Sequence, residues 1–327
     1  MSEHGSPPVV LTWSEELGKR VRSGDWADQG ISTVQKIEEA ATAGRDEIAA
    51  ELVDSFMEEA KVCYRVYAVW WDGFREWLAQ AGVAPEEIPG AGFDPEPAWA
   101  ALGAAAGTLA NRLRIGLGTD GLDELREGWR ALHDRWVDEI AGVLAFVAAR
   151  FGEATLEDCY RHVLEPYIQE RYMPYDLRER SWEDTLYRNL YSSFEAMRGH
   201  LCGPDRRGDV ELTETDDAWT LRFAPCGSGG RPEPAELGVT TERHDWAWNE
   251  AGVCHYCAHC CFALELLPAE RWGHPVRIVD PPLRPQGTDP TAEPTTCKWT
   301  IYKSLDAIPD EAYRRIGRDK PKPDQIR

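Results

Sequence analysis

Apolar residues recur at spacings of three and four along Arg45 to Ala81, Leu122 to Phe151, Leu156 to Arg171 and Trp182 to Leu201. That is the period of a helix buried on one face. In the second stretch Leu125, Trp129, Leu132, Trp136, Ile140, Val143 and Val147 form one stripe with charges opposite it. Thr155 and Ser181 each stand three positions before an acid, Asp158 and Asp184, which predicts two capped helix starts. Together the four segments predict an antiparallel bundle.

The pattern changes near residue 205. Val210 to Thr215 and Trp219 to Phe223 flank Asp216-Asp217 and predict a hairpin; Val276 to Val279 and Lys298 to Tyr302 predict two more strands. Proline-rich chain over Asp280 to Pro294 reads as loop, Ile308 to Ile316 as a short helix, and Phe262 to Leu267 as a helix ending at Pro268. The expected fold is α+β, an N-terminal helical bundle followed by a small, mainly antiparallel β domain. The expected boundaries are a helical domain over 1–204, an α+β metal-binding domain over 205–318 and a frayed tail over 319–327.

Length and charge narrow the function. A chain of 327 residues builds a core without needing metal to fold. Mean hydropathy of −0.49 and the lack of a long uncharged apolar run predict no membrane span. Met1 to Pro8 carries no basic start followed by an apolar stretch, which predicts no secretory signal and a cytoplasmic location. With a net charge of −21 and no cluster of Lys and Arg, most of the surface would repel a phosphate backbone, so nucleic acid is not an expected partner. A small-molecule substrate is; no feature of the sequence specifies an oligomer.

Nine cysteines change the picture further, because Cys226, Cys254, Cys257, Cys260 and Cys261 fall within 36 residues. In a reducing compartment they are thiols or metal ligands. Cys254 to Cys261 also holds His255 and His259, six soft or borderline ligands in eight residues. The Cys-x-x-Cys spacing suits a zinc knuckle. Cys254, Cys257 and Cys260 equally give the C-x-x-C-x-x-C spacing of [4Fe–4S] sites. Zinc is preferred for the histidines among the thiols, with an iron–sulfur cluster as the alternative. The expected ligands are Cys226, Cys254, Cys257, His259 and Cys260, with Cys297 as a substitute fourth ligand and Cys261 as packing.

Around them, Gly227, Gly229 and Gly230 form a loop able to turn amides toward a thiolate or substrate oxygen, and with Trp248 are the expected cofactor-binding positions. No Gly-Lys-Ser/Thr follows, so the loop is not a P-loop. Glu265, Glu250 and His255 are the candidate catalytic groups, moving a proton during hydrolysis or elimination at a metal-bound water. An iron–sulfur redox protein and a non-enzymatic protein with a structural zinc are the alternatives. Cys63, Cys159 and Cys202, and the aromatics Trp70, Trp71, Phe74 and Trp77, read as packing; His162 and His200 read as surface pairs or caps.

The motifs Pro225-Cys226-Gly227-Ser228-Gly229-Gly230, Tyr256-Cys257-x-His259-Cys260-Cys261 and Leu267-Pro268-x-Glu270-Arg271 are similar to those of an uncharacterised bacterial family, over roughly residues 185 to 316. The layout also resembles that of the L-2-amino-thiazoline-4-carboxylate hydrolase family, helical proteins with a cysteine-bearing C-terminal portion. These resemblances imply a helical N-terminal half and transfer no catalytic residue.

Overall fold

The computed structural model describes residues 10–231, 238–284 and 296–322. A two-stranded antiparallel hairpin opens it, β1 (Leu11–Ser14) and β2 (Lys19–Arg22), followed by α1 (Trp26–Gly30) and α2 (Thr33–Thr42). The long helix α3 (Asp46–Gln80) runs 35 residues, about 50 Å at 1.5 Å per residue, and every later helix of the bundle is built on it. These are α4 (Glu96–Arg114), α5 (Leu122–Phe151), α6 (Leu156–Tyr172) and α7 (Glu183–Gly199). The stripe on α5 is buried throughout, from Leu125 and Trp129 to Val147.

The two expected helix starts differ. Ser181 Oγ accepts the Asp184 amide at 3.2 Å while Asp184 accepts the Ser181 amide, a reciprocal cap. Thr155 instead donates its hydroxyl to Phe151 O at 3.0 Å, because a 3-10 turn at Glu153–Thr155 already joins α5 to α6.

After α7 come β3 (Glu211–Glu214) and β4 (Ala218–Phe223), paired as a hairpin. The chain continues through α8 (Ala258–Cys261), a π turn at Phe262–Leu266 and α9 (Leu267–Trp272) to β5 (Ile278–Asp280), β6 (Cys297–Tyr302) and α10 (Asp310–Arg314). The sheet order is β3-β4-β6-β5, all antiparallel, with Leu221 opposite Trp299 and Val279 opposite Trp299 on its other side. The fold is α+β. Helix continues past Pro268 rather than ending at it: the π turn resets the register, and Pro268 falls in the first turn of α9, where its missing N–H is not needed.

One hydrophobic core runs from Val34 on α2 to Ile316 beyond α10, so helices and sheet share it. Two buried ion pairs tie it together. Arg198 on α7 donates to Glu59 on α3 at 2.6 Å, and Arg315 donates to Glu265 in the π turn at 2.7 Å. The expected loop over Asp280 to Pro294 and the tail from Asp319 lie partly outside the described residues. No described helix is long and apolar enough to cross a membrane.

Candidate functional site

A pocket of about 100 Å³ opens between α3, α6, α7, the loop after β4, the cysteine segment and β6. Cys63, Cys226, Cys257, Cys260 and Cys297 all line it, as do His200 and His259. Four chain stretches therefore deliver five thiols to one cavity, walled by Trp70, Trp248 and Trp299. Cys226, Cys257 and Cys260 are the three cysteines that retain some exposure, and they retain it here.

The glycine loop brings Cys226 into place by close approach. A side-chain carbon on Gly227 would stand 1.5 Å from His200 O, one on Gly229 2.3 Å from Cys257 Sγ, and one on Gly230 3.0 Å from Cys226 Cβ. The glycines therefore pack the loop between the end of α7 and the start of α8, and their side-chain space is filled by protein.

Cys226 is the thiol poised to ionise. Hydrogen bonds from Cys202 and then Cys297 hold it well below the usual thiol range against the opposing effect of burial, with Ser228 Oγ 3.4 Å away. The partners move the opposite way: the hydrogen bond to Cys226 raises Cys297, and burial with that same bond raises Cys202. Burial also raises Cys260. A second thiol pair joins Cys257 in the wall to Cys254 behind it. Cys254 is lowered by a hydrogen bond from Cys257, which is correspondingly raised.

His200 belongs to a buried polar chain. Burial opposes ionisation of Asp134, but hydrogen bonds from His133 and Arg206 hold its carboxyl well below the usual range, so it can only accept. Its Oδ1 lies 2.9 Å from His133 Nδ1, which therefore carries the proton. His133 Nε2, left as an acceptor, is 2.9 Å from His200 Nδ1 and 3.1 Å from the Tyr67 hydroxyl. Tyr256 O–H in turn donates to Tyr67 at 3.2 Å. The Tyr67 hydroxyl also lies 3.0 Å from His200 Nδ1, so Tyr67, His133 and His200 close a three-membered ring of polar contacts. Burial lowers His200 to about 3 and His259 to about 4, so both are neutral imidazoles at pH 7.

The remaining expected residues are placed as follows. His259 Nδ1 lies 2.5 Å from Tyr256 O and its Nε2 3.2 Å from Cys260 Sγ, inside the pocket. Cys254 and His255 are buried outside the lining, with His255 Nε2 3.8 Å from Glu153. Glu265 is fully buried and its carboxylate fully engaged, accepting from Trp248 Nε1 at 2.8 Å, the Val279 amide at 2.7 Å and Arg315. Glu250 is on the surface, and Cys261 donates to Asp245 O at 3.4 Å. Trp248 joins the two roles, its ring in the pocket wall and its N–H on Glu265.

Among the described residues, no group of three or more His, Cys, Asp or Glu side chains is arranged to hold a metal ion. The expected five ligands are thus split: Cys226, Cys257, His259 and Cys260 share the pocket, and Cys254 stands behind it.

Sequence reading passed over His133, Tyr67, Arg171 and Arg277. His133 had a usable signal, four positions after Trp129 and so on the edge of the buried stripe. His200 lines the pocket instead of forming a surface pair, because the loop at Gly227 covers the end of α7. His162 does stay near the surface, 3.6 Å from Glu76. No protein family matches this chain, and no curated protein or solved structure matches it.

Proposed function

We propose that this chain is an enzyme acting on a small molecule in the thiol-lined pocket, with the Cys226 thiolate as the reacting group. What carries the reading is the arrangement at Cys226: a partly exposed thiol in a cavity, 3.4 Å from Ser228 Oγ, with Cys297 and a neutral His200 in the same lining. Such a thiolate attacks an electrophilic carbon. An S–C bond forms, the bond to the leaving group breaks, and the leaving group takes a proton. Water then cleaves the S–C bond, restoring the thiolate and returning that proton, so the sum is hydrolysis of the substrate. His200, which lines the pocket, is the base assigned to take the proton of the attacking water. Nine unpaired cysteines fit work in a reducing, cytoplasmic setting.

A second reading is supported by the number of thiols. Cys226, Cys257, Cys260 and Cys297 with His259 form a donor set suited to zinc or a [4Fe–4S] cluster, which these side chains would reorient to bind. Elemental analysis with an absorption spectrum on anaerobically purified protein separates the two. Protein without stoichiometric zinc or iron supports free-thiolate chemistry. One zinc per chain, or iron with broad visible absorption, overturns it in favour of the metal.

A further inference from the structure

Arg171 and Arg277 both line the pocket. Arg277 is 4% exposed; its Nε donates to Asn189 Oδ1 at 2.6 Å and its guanidinium lies 5.2 Å from the Trp299 ring centroid. Arg171 donates to the Tyr167 hydroxyl and lies 5.5 Å from that ring's centroid. Among the described residues neither meets a carboxylate. Elsewhere in the interior Arg198 pairs with Glu59, Arg231 with Asp138 and Arg315 with Glu265. Acidic side chains are not scarce, at 57 against 36 basic ones, so the two bare guanidiniums are not explained by composition.

Arg277 is buried and Arg171 half-buried, and a cation so withdrawn from water is costly unless something supplies a counter-charge. The described pocket lining holds both guanidiniums and no Asp or Glu. We propose that the pocket takes a small organic anion, its acid group held by Arg171 and Arg277 and its apolar part against Trp70, Trp248 and Trp299. This rests on the reading of the pocket as a substrate site. The volume of about 100 Å³ limits the occupant to a compact molecule, since a cavity of about 150 Å³ holds benzene.

Two measurements test the proposal and its premise separately. In the first, tryptophan fluorescence follows titration with propionate and with propionamide, its uncharged match, both smaller than benzene. Propionate is expected to bind at least about 10-fold more tightly, and Arg277→Gln to lose about that factor for propionate alone. Arg171→Gln repeats the test should the first variant fold poorly by circular dichroism. Equal affinities, no propionate binding, or unchanged propionate affinity in both variants would overturn the proposal.

In the second, iodoacetate and iodoacetamide compete for Cys226, each forming an S–C bond with loss of iodide. Faster, saturable labelling by iodoacetate is expected, with the preference lost in Arg277→Gln. Labelling of Cys226 with iodoacetamide favoured and no propionate selectivity sinks the anion site while leaving the thiolate reading intact. Selective propionate binding with Cys226 inert to both reagents does the reverse.

Discussion

Gly227 packs directly against the carbonyl oxygen of His200, leaving no room for even one added carbon, which would stand 1.5 Å from that oxygen. The contact closes the Cys226 loop onto the end of α7 and sets the thiol beside the histidine chain. Gly227→Ala is expected to destabilise the fold by more than about 2 kcal/mol, because backbone is what must move. Gly229→Ala meets only the Cys257 thiol, a side chain that can turn, and is expected to cost less. Urea denaturation of the two variants checks the order; equal stabilities would mean the loop is not seated on His200.

Glu265 offers a contrast between holding the fold and doing chemistry. Both its oxygens accept hydrogen bonds and Arg315 neutralises it. Glu265→Ala is expected to lower stability by about 3–5 kcal/mol, the effect of stranding a partly buried guanidinium. In the fraction that remains folded, the alkylation rate of Cys226 should be unchanged. A large fall in that rate at near-normal stability would restore Glu265 as a proton carrier.

Glu59 and Arg198 make the same argument for the bundle. Glu59 also accepts from Thr33 Oγ1 at 2.8 Å, and Arg198 Nη1 donates to Gln29 O at 2.7 Å, so the pair fastens the N-terminal segment to α3 and α7. Glu59→Ala is expected to destabilise by about 3–5 kcal/mol. Denaturant unfolding measures it, and a loss below about 1 kcal/mol would show the pair to be dispensable.

His200 gives a signed pH dependence. Its folded pKa, about 3, lies below the value of about 6.5 in an unfolded chain. The unfolded state therefore binds the extra proton between those values. Stability from this group is complete above about pH 6.5 and is lost as pH falls toward 3. The overall charge of −21 also changes over this range, so the comparison is with His200→Asn. Relative to that variant, the wild type should lose up to about 1.4 kcal/mol per pH unit between pH 6 and 4. A constant difference would show that His200 titrates normally.

The sequence carried the elements far better than the site. Helices α3, α5, α6 and α7 emerge within a few residues because their apolar stripes are long and each buries one face. The β1–β2 hairpin has four-residue strands turning at Gly18, with Trp13 exposed, so no alternation marks it. The cysteine motif was legible as chemistry but not as geometry. Nothing local distinguishes Cys257 and Cys260, which face the cavity, from Cys254, which stands behind it. That division depends on where the Gly227 loop and β6 close over α8. Arg171 and Arg277 were invisible for the same reason: an arginine without a carboxylate is recognised only once its neighbours are known.

The rate of Cys226 alkylation by iodoacetamide as a function of pH, read by peptide mapping, tests the central claim most directly. A reacting thiolate held by Cys202, Cys297 and Ser228 predicts labelling of Cys226 ahead of the other eight cysteines, at a rate that stays level from pH 8.5 down through neutrality. A rate that climbs through pH 8–9 like that of an ordinary thiol, or labelling that favours Cys257 or Cys260, would contradict it.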